Sequence, residues 1–131
     1  MNSGIVIVDD HAPFRAALRQ HLAEHDDFEI LAEFSDGHDF LEAPVSEHWH
    51  ILLLDISMPK IDGITVLGRL GDRHSRLHAI IVSGRLEEVY RRAAFSGGAA
   101  GFVTKDLVFS DLVPCIRKVL AGGRWFPGEV W

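Results

Sequence analysis

Side chains able to handle a phosphoryl group and a metal ion follow four short apolar runs of this 131-residue sequence. They are Asp9 and Asp10 after the first run, Asp55 after the second, Ser83 after the third, and Thr104 and Lys105 after the fourth. If three carboxylates meet, their repulsion is large: two unit charges about 4 Å apart interact at around 4 kcal/mol at an effective dielectric near 20. A raised pKa, a bound cation, or both must compensate.

The chemistry of these groups favours a hard divalent cation. Carboxylate oxygens suit Mg²⁺, which keeps several waters and pairs with phosphoryl oxygens. Lys105 supplies a second positive charge, and Ser83 supplies a hydroxyl donor. One aspartate acting as nucleophile, with a metal and an ammonium neutralising the phosphoryl oxygens, is an arrangement suited to phosphoryl transfer.

Other kinds of phosphate site are disfavoured. Asp9 and Asp10 occupy the place where a glycine-rich dinucleotide loop would follow the first strand, and they would repel a pyrophosphate. The sequence contains no Walker motif. Haloacid-type phosphatases carry a second aspartate two residues after the nucleophile, and that position is Ser57 here.

The elements that must position these groups are short strands alternating with amphipathic segments. β-like runs lie at 5–8, 28–34, 51–54, 79–82 and 101–103. Apolar residues at helical spacing separate them, as in Phe14, Leu18 and Leu22. Five such pairs predict an α/β fold, a doubly wound parallel sheet with right-handed crossovers, and the run at 28–34 is expected near an edge. In that fold the ligand site lies at the carboxyl ends of the strands.

Composition sets further bounds. With 47% hydrophobic residues the chain can form one domain with a real core. Its single cysteine, Cys115, and a beginning without a basic segment fit a cytoplasmic protein without a signal peptide. No apolar run approaches the roughly 20 residues of a membrane span. A net charge of -6 argues against direct nucleic-acid binding by this domain.

Five motifs in register resemble the receiver (CheY-like) domain of bacterial two-component response regulators across nearly all of the chain. They are the pair Asp9-Asp10, LLLDISMP around Asp55, Gly63, IIVSG with Ser83, and GFVTK with Lys105. The resemblance implies a flavodoxin-like (βα)5 fold with strand order 2-1-3-4-5. It also implies a cytoplasmic phosphoprotein that switches an output surface.

The resemblance implies a role for each matching position. Asp55 would accept a phosphoryl group from a sensor histidine kinase or phosphotransfer protein. Mg²⁺, or Mn²⁺, would be bound by Asp10, Asp55 and the backbone carbonyl of Ser57, with Asp9 acting through water. Ser83 and Lys105 would contact the phosphoryl group, Phe102 would be the switch aromatic, and Ser57 and Arg85 would tune dephosphorylation.

The pair Lys105-Asp106 and the ending LAGGRWFPGEVW resemble the NarL/FixJ (LuxR-type) subfamily. That likeness implies a receiver over residues 1–121, with 122–131 as a tail or the start of a linker to a helix-turn-helix DNA-binding domain that this chain lacks. It also implies a homodimer face on the first and last helices. A stand-alone receiver acting through protein–protein contacts remains the alternative.

Two functions of other classes stay open at the level of sequence. One is a Mg²⁺-dependent phosphohydrolase with Asp55 as nucleophile, which would turn over small phosphoesters. The other is a phosphate-independent interaction module that keeps the pocket as structure. Because the residues suit a single reversible transfer, we expect self-phosphorylation and self-dephosphorylation rather than a turnover enzyme.

Overall fold

The computed structural model describes residues 2–44, 46–71, 76–84 and 88–126 of the chain. Along the chain the elements are β1 (Ser3–Val8), α1 (Ala12–Leu22), β2 (Phe28–Phe34), α2 (Gly37–Glu42), β3 (Trp49–Leu54), α3 (Gly63–Leu70), β4 (His78–Ser83), α4 (Glu88–Ser96), β5 (Gly101–Thr104), a 3₁₀ turn (Lys105–Leu107) and α5 (Val108–Leu120). The strands form one parallel sheet in the order β2-β1-β3-β4-β5. The predicted fold and strand order are confirmed, with β2 at an edge.

The sheet separates two apolar layers. Ile5 and Ile7 of β1 face the layer that contains the buried residues of α1 and α5, whereas Val6 and Val8 face the layer of α2, α3 and α4. Each inner strand is therefore apolar on both faces, which explains its continuous run of aliphatic residues. The first polar side chains come where the strands end and the helices no longer cover them.

The loop after β3 is held in a tight turn. The Gly63 N–H donates to the Ile56 carbonyl at 2.9 Å, and a Cβ on Gly63 would lie 2.1 Å from the Asp55 carbonyl oxygen. Asp62 is the N-cap of α3, with its side chain accepting the Thr65 N–H at 2.8 Å. The turn at Asp62 and Gly63 thus also starts a helix, and its glycine allows the close backbone approach behind Asp55.

The segment after α5 returns to the edge of the sheet. Gly122 has a φ of 95°, which turns the chain away from the helix. Trp125 then forms a parallel bridge with Gly101, accepting the Phe102 N–H at 2.8 Å and donating to the Ala100 carbonyl at 2.9 Å. The exposed edge of β5 is partly covered as a result.

Arg124 ties the same segment to the end of α4. Its guanidinium donates to the carbonyls of Phe95 at 3.2 Å and Ala99 at 2.6 Å, and it lies 4.0 Å from the centroid of the Phe95 ring. Phe126 packs edge-on against Phe95. Residues 124–126 therefore pack against the domain, while the proposed boundary at residue 121 stays a prediction.

None of the helices in the described part of the chain combines the length and apolar character that a bilayer span requires.

Candidate functional site

Strand pairing brings the acidic residues together at the carboxyl edge of the sheet. Val8 and Leu54 are partners in the β1–β3 ladder, so the next residue of each strand, Asp9 and Asp55, lies at the same level. The Asp55 N–H continues the ladder by donating to the Val8 carbonyl at 3.0 Å. One carboxylate oxygen from each of Asp9, Asp10 and Asp55 lies within 4.8 Å of the others. The predicted acidic cluster exists.

The three carboxyl groups differ in burial. Asp9 is 2% exposed and Asp55 is 4% exposed, whereas Asp10 is exposed. Charges removed from water in this way need partners or a cation, because burial of an unpaired carboxylate is costly. The exposed Asp10 leaves the cluster open to solvent on one side.

Lys105 supplies part of the compensation. It begins the 3₁₀ turn directly after β5, and its Nζ lies 3.0 Å from Asp9 Oδ2 and 3.6 Å from Asp55 Oδ2. Its side chain is 23% exposed. One ammonium facing three carboxylates leaves the cluster with an excess of negative charge, which a divalent cation would neutralise.

The pKa of the Asp55 carboxyl is raised from 3.8 to about 6, first by burial and then by the nearby charges of Asp9 and, less strongly, Asp10. Lys105 and the Ser57 N–H oppose this rise in pKa. The Ser57 N–H lies 3.4 Å from Asp55 Oδ1. At neutral pH Asp55 is therefore mostly ionised, as a ligand or nucleophile must be, although its ionised form is destabilised by the surrounding protein.

The remaining predicted residues lie as follows. Ser83 is buried at the end of β4. Its partner in the β4–β5 ladder is Thr104, the residue directly before Lys105, so Ser83 lies beside Lys105 at the carboxyl edge of the sheet. Phe102 is buried on the face of the sheet that carries α2, α3 and α4. Ser57 is exposed. Arg85 lies outside the described residues.

Sequence reasoning placed Phe14 only in the apolar stripe of α1, and the structure adds a contact with the site. The Lys105 Nζ lies 4.4 Å from the centroid of the Phe14 ring. The ring of His11 lies parallel to that of Phe14, and the His11 N–H donates to Asp9 Oδ1 at 2.8 Å. Phe14 lies four residues after Asp10 and in the first turn of the next helix, and this closeness in sequence is the signal that could have indicated it.

The backbone of Asp9 is also held from α1. The Arg15 guanidinium donates to the Asp9 carbonyl, and its Nε lies 3.4 Å from a carboxylate oxygen of Glu33 on β2. The first turn of α1 thus fixes both the main chain and the side chain of Asp9. The acidic edge is a preformed site rather than a set of freely moving side chains.

A protein-family comparison matches residues 5–117 to the response regulator receiver domain. Among curated proteins, BvgA of Bordetella pertussis, named as a transcription regulator of virulence factors, is 32% identical over 127 residues. The match covers 97% of this chain and 60% of BvgA, so the chain spans less than two thirds of the length of that relative.

Solved structures agree. A LuxR-family DNA-binding response regulator from Staphylococcus aureus is 30% identical with a TM-score of 0.81, over 89% of this chain and 98% of that one. RcsB, in a structure of two dimers bound to two parallel DNAs, is 25% identical with a TM-score of 0.86, over 97% of this chain and 65% of that one. The predicted resemblance is confirmed.

These relatives are signalling proteins rather than enzymes of the ordinary kind. The matched range runs from Ile5 in β1 to Arg117 in α5 and contains Asp9, Asp10, Asp55 and Lys105. The chain belongs to the response regulator receiver domain family of two-component systems.

Proposed function

We propose that Asp55 accepts a phosphoryl group from a phosphohistidine on a sensor histidine kinase or phosphotransfer protein, with Mg²⁺ or Mn²⁺ bound beside it. The observation that carries this proposal is the placement of a buried Asp55 carboxylate between Lys105 and the two aspartates after β1. Asp10 is exposed, so both the ion and the donor would approach on its side.

The residues of the site have different roles according to their surroundings. Asp10 and Asp55, with the backbone carbonyl of Ser57, would hold the metal. Asp9 would act through water, since its Oδ1 accepts from the His11 backbone N–H and its Oδ2 pairs with Lys105. The bound cation supplies charge neutralisation for the phosphoryl oxygens.

The transfer step is a displacement at phosphorus. A carboxylate oxygen of Asp55 attacks, the P–N bond to the donor imidazole breaks, and the electron pair of that bond returns to the imidazole nitrogen. Lys105 and the Ser83 hydroxyl contact the oxygens of the transferred group. Hydrolysis of the acyl phosphate by water later restores Asp55, and Ser57 and Arg85, two residues beyond Asp55 and Ser83 in the sequence, tune its rate.

The switch follows from the added charge. Phosphorylation adds roughly two negative charges beside Lys105 and Ser83. Movement of the β4 end toward the phosphoryl group changes the space available to Phe102, which is packed beneath α4. The surface formed by α4, β5 and α5 then changes its preferred partner. Inverting a 1:99 equilibrium needs about 5.5 kcal/mol of differential stabilisation.

At the level of the whole protein, we propose a cytoplasmic regulator of transcription. Residues 1–121 form the receiver, and residues 122–131 form a tail or the start of a linker to a separate helix-turn-helix domain that binds DNA. The proposal draws on BvgA, named as a transcription regulator, and on RcsB, whose dimers bind DNA. The acidic receiver itself contributes homodimer contacts rather than DNA contacts.

The decisive experiment is the intact mass after treatment with acetyl phosphate and Mg²⁺. Wild-type protein is expected to gain the mass of one phosphoryl group, and Asp55→Asn to gain none. Asp26→Asn is a matched control, because Asp26 is an exposed aspartate in the turn before β2, away from the acidic edge. Equal mass gain in wild type and Asp55→Asn would contradict the assignment of the acceptor.

A further inference from the structure

Four neighbouring residues at the pocket each contact the next: Lys105, Asp9, His11 and Phe14. Lys105 Nζ pairs with Asp9 Oδ2, and Asp9 Oδ1 accepts the backbone N–H of His11. The His11 ring lies parallel to the Phe14 ring, with the ring centroids 6.5 Å apart. The centroid of the Phe14 ring in turn lies 4.4 Å from Lys105 Nζ. Together these contacts join the first turn of α1 to the residue directly after β5. The lysine is therefore held by an aromatic face as well as by carboxylates.

The aromatic contact has a chemical advantage for a lysine that must change partners. A lysine side chain is flexible, and its ammonium follows whichever anion is nearest. A ring face attracts the ammonium through its quadrupole without offering an oxygen that would compete with a phosphoryl group. Phe14 can thus keep the ammonium at the pocket while its ion pairs are exchanged.

The Phe14 ring is well suited to hold a fixed position. It is half-buried and packs against the apolar layer of α1 and α5, while its neighbour His11 is exposed. Pro13 precedes it in the first turn of α1, which favours a defined helix start. A ring anchored in the core on one side presents its face to Lys105 with little loss of conformational freedom on binding.

We infer that Phe14 is a positioning residue for Lys105, holding the ammonium in place for phosphoryl transfer to Asp55. The inference rests on the proposed function for its consequence, but the contact itself is independent of it. Phe14 touches neither the metal nor the phosphoryl group. Its effect passes through the lysine, and the contribution of Phe14 must disappear when the ammonium is removed.

A double-mutant cycle tests this role. The rate of phosphorylation by acetyl phosphate and Mg²⁺ is measured for wild type, Phe14→Leu, Lys105→Met and the double variant. Phe14→Leu is expected to slow wild type by about 2- to 30-fold, the range of a cation–π contact. The same change is expected to have no effect in the Lys105→Met background. Equal slowing in both backgrounds would show a packing role and overturn the inference.

A second variant separates ring electrostatics from ring shape. Pentafluorophenylalanine at position 14 preserves an aromatic ring but reverses its quadrupole, so it should slow the reaction as Phe14→Leu does, whereas Phe14→Tyr should restore the wild-type rate. The fluorinated and tyrosine variants also test the inference if Phe14→Leu fails to fold. An unchanged rate with the fluorinated ring would contradict the inference.

Nuclear magnetic resonance provides a readout that does not depend on phosphorylation. The Hε protons of Lys105 are expected to be shifted upfield by the Phe14 ring current, and the shift should vanish in Phe14→Leu. An Hε shift unchanged by that substitution would rule out the contact. Failure of the wild type to be phosphorylated would instead contradict the proposed function, with the ring-current shift still present.

Discussion

Replacing Asp55 with asparagine should stabilise the metal-free fold at neutral pH. The pKa of Asp55 is raised to about 6 in the folded protein from an ordinary value of 3.8. A difference of about two pKa units, at 1.36 kcal/mol each, makes the ionised carboxylate cost about 3 kcal/mol of folding free energy. Asp55 is only 4% exposed, so solvent screens little of this cost.

Asparagine preserves the shape of the side chain and an oxygen that can accept the Ser57 N–H. It removes one ion pair of Lys105, which retains its closer partner Asp9. We therefore expect Asp55→Asn to raise the free energy of unfolding by about 1–3 kcal/mol near pH 7.5. Urea unfolding in the presence of a chelator measures this difference directly.

The gain should depend on pH in a defined direction. As the pH falls through 6, the folded protein takes up a proton on Asp55 before the unfolded chain does, so the wild type regains stability. From the two pKa values, the contribution of the Asp55 charge to this difference should shrink from about 3 kcal/mol near pH 7.5 to about 1 kcal/mol near pH 4.5. A variant less stable than wild type at neutral pH, or a difference independent of pH, would refute the reasoning.

Three further outcomes are expected. Free Mg²⁺ at 100 times its Kd should stabilise wild type by about 2.7 kcal/mol in thermal unfolding, and Asp10→Asn should lose most of this stabilisation. Equal stabilisation of wild type and Asp10→Asn by Mg²⁺ would show that Asp10 is not a ligand. Gly63→Ala should lower the free energy of unfolding by about 1–3 kcal/mol, because the added Cβ would collide with the Asp55 carbonyl. The control Gly68→Ala, whose added Cβ meets open space, should raise the free energy of unfolding by about 0.5–1 kcal/mol. Arg124→Ala should cost about 1–2 kcal/mol through two lost hydrogen bonds and speed hydrogen exchange at the edge of β5, and unchanged exchange there would argue against the packing of residues 124–126.

The position of the acidic cluster was predictable because it depends on periodicity and topology. Aliphatic runs buried on both faces indicate inner parallel strands, and parallel strands place their ends at one edge. Asp9 and Asp55 directly follow such runs, and Lys105 follows one after Thr104, so their convergence required no knowledge of the loops. Gly63 was visible as a motif position, although the reason for it, contact with the Asp55 backbone, was not.

Other features depend on contacts between distant segments that no local pattern encodes. The Phe14 ring lies beneath Lys105 because α1 and the end of β5 happen to meet, 91 positions apart in the numbering of the chain. The pairing of Trp125 with Gly101 likewise depends on the turn after α5. The raised pKa of Asp55 follows from burial, whose extent could not be read from sequence. Sequence therefore predicts which residues reach the site, while packing determines their electrostatics.

The most direct test of the acceptor is chemical trapping of the acyl phosphate. Protein treated with acetyl phosphate and Mg²⁺ is reduced with borohydride, which converts a phosphorylated aspartate to homoserine, and the digested peptides are sequenced by mass spectrometry. The account predicts homoserine at position 55, and none in protein that was not phosphorylated. Homoserine at Asp9 or Asp10, with position 55 unmodified, would contradict it.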